Sequence, residues 1–274
     1  MFPFLVKQGD FIIPTFSFML MMASLVGTFY AYYRAPEKKL SQTVVLDMGI
    51  IGTIAGVVGS RLFHVFVEAP RYYWLHPTHI FQIWRGGFVS YGAIILIGIS
   101  LYLYLRIRKI DHQLYKYMDL MALGFPLVVM MVRIGCIGAG CCYGKPTDFF
   151  IHLVFNNPSS DAGYHHPGVP LHASQVYDLL NGLLIFFVLH FIDKKKKFDG
   201  QIMWTFLIMY GTIRGLIEFL RGDVDRGVYF GGVISTAQIM GILSVMLGVF
   251  MYQYCKKKYP VTSNIESSSS TTLS

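Results

Sequence analysis

Residues 132–144 read V-R-I-G-C-I-G-A-G-C-C-Y-G and close an apolar run that begins near Met118. A run of this length and composition predicts a membrane-spanning helix, so Arg133 is expected inside the hydrocarbon layer. A guanidinium at that depth costs roughly 3 kcal/mol on insertion scales, and it therefore requires an acidic partner or a functional role. The stretch thus predicts a membrane protein with a polar group built into one of its helices.

The glycines that follow Arg133 bear on what that polar group does. Gly135, Gly138, Gly140 and Gly144 come at short intervals and predict a weakened helix with free backbone N–H groups near the arginine. An arginine beside free amides is typical of an anion site, and a phospholipid headgroup is the natural phosphate at that depth. The alternative is a kinked, closely packed helix in which Arg133 is only ion-paired.

The composition of the whole chain extends the membrane assignment. Of 274 residues, 54% are hydrophobic and 14% are charged, with a mean hydropathy of +0.50. We predict an all-α polytopic membrane protein with about seven transmembrane helices and a small extracytoplasmic arm or head region. The apolar windows are 14–33, 44–67, 86–105, 118–139, 176–193, 202–220 and 232–254.

The same pattern predicts the domain organisation. Residues 1–258 are expected to form a single transmembrane domain with an outer loop at about 145–174. Residues 259–274 are rich in Ser and Thr and are expected to be a disordered cytoplasmic tail. Residues 68–87 are expected to form a short surface helix, and F-F-I-H-L-V-F at 149–155 favours a small hairpin or an extended arm.

The net charge of +8 reflects topology rather than nucleic-acid binding. Most basic residues gather in the loops that follow alternate windows. These residues are Arg34, Lys38, Lys39, Arg106, Arg108, Lys109, Lys116, Lys194, Lys195, Lys196, Lys197, Lys256, Lys257 and Lys258. The positive-inside rule then predicts an external N-terminus and a cytoplasmic C-terminus. No basic stripe with interleaved aromatic residues indicates a nucleic-acid partner.

Cysteine and histidine side chains are common metal ligands, and this chain has a cluster of each. The spacing C-x4-C-C at Cys136, Cys141 and Cys142 matches no common zinc pattern, so no metal site is predicted. Buried inert thiols and a disulfide from Cys136 to Cys141 or Cys142 remain open. The histidines of the 145–174 loop are explained by an exposed polar loop.

A second intramembrane signal lies in the sixth window. Tyr210, Arg214, Glu218 and Arg221 follow one another at intervals of four, four and three, which predicts one polar stripe on a helix. An ion pair between Arg214 and Glu218 is one interpretation. When Arg133 is included, the arginines outnumber Glu218, which favours an additional anion beside them. Gln175 and Asp178, three residues apart, share one face at the start of the fifth window.

These motifs together resemble one family, the prolipoprotein diacylglyceryl transferases of bacterial membranes. The resemblance runs from about residue 40 to 250 and depends on the shared order and spacing of modest motifs. The matching segments are Gly59-Ser60-Arg61, Trp84-Arg85-Gly86-Gly87, Val132 to Cys136, His172 to Asp178, Tyr210 to Arg221, and Gly232 with Ser235 and Gln238.

The resemblance implies transfer of a diacylglyceryl group from phosphatidylglycerol to the lipobox cysteine thiol in the signal peptide of a secreted prolipoprotein, in the bacterial cytoplasmic membrane. Breaking a C–O bond to a phosphate requires cations beside the leaving group, a role that falls to Arg133 and Arg214. Glu218 and Tyr91 complete the implied catalytic residues. The implied substrate-binding residues are Arg61, Gly135, Gln175, Tyr210, Arg221, Ser235 and Gln238. No cofactor or metal is required.

The chain also departs from the family pattern. Tyr91 stands where the family has a histidine, and Cys136, Ala139 and Cys141 stand where its signature has two asparagines and a glutamate. Tyrosine, with an ordinary pKa of about 10, is a poor base at neutral pH. Glu218, Asp178 or His64 would have to assist, or the incoming thiol would ionise in the field of the arginines. Two alternatives stay open: an enzyme with the same lipid donor and another acceptor, and a non-catalytic protein that binds or transports anionic lipid.

Overall fold

The computed structural model describes residues 2–8, 11–82, 90–223, 228–229 and 234–260. Within these ranges some side chains fall outside the description, namely those of Lys7, Phe11, Ile12, Glu68, Ser90, Tyr91, Val228 and Tyr229. Of the predicted cytoplasmic tail, only residues 259 and 260 are described, so its disorder stays a prediction.

Helices make up most of the described chain. They are α1 (Thr15–Arg34), α2 (Gln42–Phe63), α3 (Pro70–Leu75), α4 (Ser90–Ile107), α5 (Leu114–Ala139), α6 (Asp161–His165), α7 (Ser174–Asp193), α8 (Gln201–Ile217) and α9 (Thr236–Lys258). Among the described residues, six helices are long and apolar enough to cross a membrane, and α4 is a shorter apolar helix. The polytopic all-α fold is therefore confirmed, with each predicted window falling on one of these seven helices.

The strands are short and pair in twos. Strand β1 (Phe4–Gln8) pairs antiparallel with β2 (Phe11–Pro14), β3 (His152–Val154) with β4 (Pro170–His172), and β5 (Val228–Tyr229) with β6 (Ile234–Ser235). The extended segment expected at 149–155 is thus β3. Its partner lies beyond α6 rather than in a tight hairpin.

The chain divides into two compact units, one formed by residues 21–124 and the other by residues 1–20 and 125–274. The predicted single transmembrane domain over residues 1–258 stays a prediction. In the first unit, a buried cluster around Val45, Met48, Leu105, Tyr117 and Leu120 joins α1, α2, α4 and the start of α5. The predicted surface helix is present as α3, followed by a 3-10 turn at Pro77–Phe81.

Glycine allows α2 and α4 to approach closely in the first unit. A Cβ atom on Gly59 would lie 2.3 Å from the carbonyl oxygen of Gly92, and one on Gly92 would lie 2.1 Å from the carbonyl oxygen of Gly59. Backbone contact at this distance leaves no room for a side chain, so the helix pair depends on both glycines.

The second unit contains α7, α8, α9 and a small cap. The cap is the segment 143–173, whose buried cluster is Tyr143, Phe155, Ala162 and Leu171. The amide of Gly144 donates to the carbonyl of His172, and the amide of His172 donates to the carbonyl of Lys145. These bonds close the 145–174 loop into a folded region at the ends of α5 and α7.

The glycines after Arg133 were expected to weaken the helix and leave backbone N–H groups free, but α5 continues past Gly135 and Gly138 to Ala139. A Cβ on Gly135 would lie 2.7 Å from the Cβ of Met19, and one on Gly138 would lie 3.0 Å from the Cγ2 of Thr15. The two glycines therefore let α5 pack closely on α1. The amides of Gly140 and Cys141 are not free either, since both donate to the carbonyl of Cys136.

Candidate functional site

Three helices of the second unit bring charged side chains together. Arg133 of α5 places Nη2 3.0 Å from Oδ2 of Asp178 on α7, and Arg214 of α8 places Nε 3.7 Å from the same oxygen. The Asp178 side chain is 2% exposed, and those of Arg133 and Arg214 are 12% and 10% exposed. One carboxylate thus holds two guanidiniums that are far apart in sequence. The binding of a lipid phosphate by these two arginines stays a prediction.

Glu218 extends this cluster. Its Oε2 lies 2.7 Å from Nη1 of Arg214 and 3.8 Å from Nη1 of Arg221. The contact with Arg214 is an ion pair whose angles do not satisfy a hydrogen bond. A buried carboxylate between two guanidiniums recovers much of the cost of its own desolvation.

The predicted helical stripe is only partly correct. Helix α8 ends at Ile217, Glu218–Leu220 form a 3-10 turn, and Arg221 is extended with φ −74° and ψ 144°. The chain leaves the helix there because residues 221 and 222 pair with the cap, where Gly222 N–H donates to the Tyr143 carbonyl. Arg221 still reaches Glu218, but it does so from the connecting segment.

The expectation that arginines outnumber acids in this cluster is wrong. Arg221 forms two bonds to Asp223, one of them from Nε to Oδ1 at 2.8 Å. Burial by itself lowers the pKa of Arg221, but the hydrogen-bonded Asp223 together with the nearby Cys142 and Glu218 raises the pKa above the ordinary value. The cluster of Arg133, Arg214, Arg221, Asp178, Glu218 and Asp223 is therefore balanced in charge.

Several buried polar atoms around Asp178 have no hydrogen-bond partner among the described residues. They are Nε of Arg133, Oδ1 of Asp178, Oε1 of Gln175 and both polar side-chain atoms of Asn181. Leaving such an atom unpaired costs about 1–3 kcal/mol. A group of them on facing helices is typical of a place that accepts a polar ligand or ordered water.

The turn after α5 is fixed to the start of α7. Gln175 Nε2 donates to the Cys141 carbonyl at 2.8 Å, and Ser174 Oγ donates to the Cys142 carbonyl at 2.6 Å. Hydrogen bonds with the thiols of Cys136 and Cys141, and the nearby arginines, lower the pKa of Cys142 below its ordinary value. All four cysteines are free, so the disulfide alternative is not observed.

The other predicted residues of this unit are placed as follows. Tyr210 stacks on Phe206, with ring centroids 5.6 Å apart, and lies near enough to Arg133 to interact electrostatically. Ser235 and Gln238 form a capping box at the start of α9, where Ser235 Oγ accepts from Gln238 N–H at 3.2 Å and Gln238 Oε1 accepts from Ser235 N–H at 2.9 Å. Their structural role is local, and substrate binding by these residues and by Gly135 stays a prediction.

Arg61 belongs to the first unit and has backbone partners there. Its guanidinium donates to the carbonyls of Ile80, His79 and Gln82 at 3.1, 2.6 and 3.3 Å, and lies over the Tyr73 ring. It therefore holds the 3-10 turn against α2. Tyr91 lies in the first turn of α4, but its side chain, like residues 84–87 and Gly232 of the family motifs, falls outside the described part of the chain.

From the sequence, Asp178 is expected only as one of three residues that could assist Tyr91, and Asn181 and Asp223 carry no prediction. The structure places all three in the site. The available signal was the spacing of Ser174, Asp178, Asn181 and Ile185, all buried on one face of α7. Polar residues on the buried face of a membrane helix indicate a functional region.

Together, the fold and this cluster define a polytopic membrane protein with a polar site built from three membrane helices. Comparison with known proteins specifies the family. The sequence model of the prolipoprotein diacylglyceryl transferase family matches residues 3–254 of this chain. The chain therefore belongs to that family and is a transferase.

Individual relatives are similar in sequence to this chain over most of their lengths. A phosphatidylglycerol–prolipoprotein diacylglyceryl transferase of Clostridium tetani is 31% identical over 235 residues, covering 85% of this chain and 90% of that protein. Two further relatives, from Clostridium perfringens and Vibrio parahaemolyticus, carry the same activity in their names and are each 29% identical to this chain. The matched regions cover 89% and 93% of this chain, respectively, and 91% of each relative.

Proposed function

We propose that this protein transfers a diacylglyceryl group from phosphatidylglycerol to the lipobox cysteine thiol of a prolipoprotein signal peptide, in the bacterial cytoplasmic membrane with its N-terminus outside. The relatives carry this donor and acceptor class in their names. The observation that carries the proposal is the convergence of Arg133 and Arg214 on Asp178 beside unpaired buried donors.

In the proposed step, the thiol sulfur attacks a glycerol carbon of the lipid. A carbon–sulfur bond forms, the carbon–oxygen bond to the phosphate breaks, and glycerol phosphate leaves with the bonding electrons. Arg133 and Arg214 stabilise the negative charge of this leaving group. The unpaired Nε of Arg133 and the amide of Asn181 are the donors that support phosphate binding without displacing the existing ion pairs.

The proton of the attacking thiol also needs an acceptor. We assign it to Glu218, which is buried and contacts the same arginine as the proposed phosphate site. Tyr91, at the start of α4, is the fourth proposed catalytic residue, beside Arg133, Arg214 and Glu218. Substrate binding is proposed for a further set of residues, because orientation supplies much of the rate in a two-substrate transfer. They are Arg61, Gly135, Gln175, Tyr210, Arg221, Ser235 and Gln238.

The deciding experiment uses the purified full-length protein in phosphatidylglycerol vesicles with a synthetic lipobox peptide. Mass spectrometry of the peptide is expected to show the added diacylglyceryl group, and the vesicles are expected to yield glycerol phosphate in equal amount. A matched peptide with serine in place of the lipobox cysteine should remain unmodified.

Other outcomes identify the alternatives. Consumption of phosphatidylglycerol without peptide modification would point to a different acceptor. Binding of phosphatidylglycerol with neither product would point to a lipid-binding or transport protein, and it would overturn the transferase proposal.

A further inference from the structure

The turn after α5 brings three thiols together. Cys136 is buried in the last turn of α5, whereas Cys141 and Cys142 follow it and are partly exposed. Their three Sγ atoms all lie within 4.8 Å of one another, and those of Cys136 and Cys142 are 3.9 Å apart. The C-x4-C-C spacing gives no sign of this cluster. It arises because Gly140 and Cys142 adopt left-handed φ values of 69° and 59°, which reverse the chain.

The turn is held by bonds that do not involve the sulfurs. The amides of Gly140 and Cys141 donate to the Cys136 carbonyl at 2.9 and 3.2 Å, and Ala162 N–H donates to the Gly140 carbonyl at 2.9 Å. Gln175 and Ser174 hold the carbonyls of Cys141 and Cys142 from α7. The three thiols are therefore positioned in advance, which lowers the cost of binding a ligand at that place.

The separation of the Cys136 and Cys142 sulfurs matches that of a metal thiolate site, and the other two separations are at most 4.8 Å. At a zinc–sulfur distance of about 2.3 Å, three sulfurs around one ion lie about 4 Å apart. The measured 3.9 Å between Cys136 and Cys142 is close to this value, whereas a disulfide would need about 2 Å and would leave the third thiol without a role. Thiolate ligands select soft ions such as Zn²⁺ over Mg²⁺ and Ca²⁺.

The surrounding charges suit such a complex. When one divalent ion binds, three metal–sulfur bonds form and each thiol that is still protonated releases its proton to water. The complex of three thiolates with one divalent ion carries a net charge of −1. Arg133 Nη1 lies 3.8 Å from Cys136 Sγ, and Arg221 interacts electrostatically with Cys142. These cations offset the remaining negative charge. Cys141 and Cys142 provide the entry path because they are partly exposed.

We propose that Cys136, Cys141 and Cys142 bind one thiophilic divalent metal ion of the Zn²⁺ type through three thiolates. The fourth position of a tetrahedral ion is left for water or another small ligand. The proposal goes beyond the transferase activity and does not depend on it, because the test below measures metal binding and not transfer.

The test titrates the reduced, metal-free, full-length protein in detergent with Cd²⁺, a spectroscopic substitute for Zn²⁺. Ultraviolet sulfur-to-cadmium charge-transfer absorption is expected to saturate at one ion per chain, and Zn²⁺ is expected to remove it by competition. Counting the reactive thiols after denaturation is expected to give four in the metal-free protein, matching the four free cysteines.

The variants identify the ligands. Cys142→Ser and Cys136→Ser should each weaken Cd²⁺ binding at least tenfold and reduce the absorption per bound ion. The matched control is Cys255→Ser, which removes a buried thiol outside the cluster that accepts from Trp204 Nε1 at 3.3 Å, and it should bind as the parent protein does. Gel filtration of each variant separates loss of the site from loss of the fold.

Three results would overturn the proposal. One is absence of charge-transfer absorption in a monodisperse protein with four reactive thiols. Another is unchanged binding in Cys142→Ser. The third is a count of two reactive thiols in the protein purified without reductant and without metal, which would show that the cysteines form a disulfide instead.

Discussion

Among single residues, a substitution at Arg133 is the most direct test of the proposed phosphate-binding role. Its Nη2 pairs with Asp178 while its Nε has no partner among the described residues. Arg133→Lys keeps the charge but loses the fork that binds a phosphate through two bonds. We expect transfer to fall by roughly 10²-fold or more, and Arg133→Ala and Arg214→Ala to abolish it while the protein still inserts.

The measurement is the initial rate of peptide modification in phosphatidylglycerol vesicles. Arg106→Lys is the matched control, because Arg106 is exposed and donates to Tyr102 within α4. Wild-type transfer by Arg133→Ala would remove that arginine from the mechanism.

Asp178 is expected to matter for stability as well as for activity. Asp178→Asn removes the carboxylate shared by Arg133 and Arg214, and breaking a buried pair in this way costs about 3–5 kcal/mol. The melting temperature in detergent should therefore fall. Added phosphatidylglycerol should recover more of that loss than phosphatidylcholine does, because an anionic headgroup can replace the lost carboxylate.

The matched control for this prediction is Glu37→Gln. Glu37 pairs with Arg34 at 2.8 Å and is 55% exposed, so its removal should cost less than about 1 kcal/mol. Equal recovery of the Asp178→Asn variant by both lipids would argue that the cluster has a purely structural role.

Glu218 is the proposed proton acceptor, and Glu218→Gln tests that role. The substitution preserves volume but cannot take a proton from the thiol, so kcat should fall by about 10²–10⁴-fold with a smaller change in KM. Rates are compared with those of the Glu37→Gln protein. Activity within twofold of the parent would move the proton acceptor elsewhere, and Tyr91 would be the next candidate.

At the scale of elements, close helix contacts depend on a few glycines. Gly59 and Gly52 both lie on α2, but a Cβ on Gly59 would lie 2.3 Å from the Gly92 carbonyl oxygen, whereas one on Gly52 would meet nothing within 4 Å. Gly59→Ala is therefore expected to destabilise the first unit by forcing α2 and α4 apart. Gly52→Ala should be neutral or slightly stabilising, by up to about 1 kcal/mol, because alanine favours helix.

Thermal unfolding of the two variants in the same detergent checks this difference. Equal melting temperatures would show that α2 and α4 do not approach each other as the structure describes.

At the scale of the whole molecule, α4 decides the topology. It has 18 residues, about 27 Å at 1.5 Å per residue, which is just under the thickness of a hydrocarbon core. If α4 crosses, seven spans place the two termini on opposite sides, as the basic loops predict. If it does not cross, the six longer helices leave both termini on one side.

Green fluorescent protein folds in the cytoplasm. If α4 crosses the membrane, the fusion after Ile110 and the fusion after Lys258 should therefore both fluoresce. Fusion after Leu75, in the loop between α2 and α4, should be dark, and alkaline phosphatase at the same three positions should give the reverse pattern. A fluorescent Leu75 fusion or a dark Ile110 fusion would contradict the predicted orientation.

The apolar runs of the sequence were enough to predict the membrane helices and the three arginines within them, Arg61, Arg133 and Arg214, because runs of about 20 apolar residues must satisfy their backbone hydrogen bonds internally as helices. It did not reveal that Asp178 is shared by Arg133 and Arg214, that Asp223 balances Arg221, or that three thiols meet. These arrangements depend on the packing of helices distant in the chain and on a left-handed turn at residues 140–142, and neither leaves a local periodic signal. Likewise, Gly135 and Gly138, which were expected to weaken α5, are positions of close packing. Their role depends on the tertiary contacts with Met19 and Thr15, which the sequence does not show.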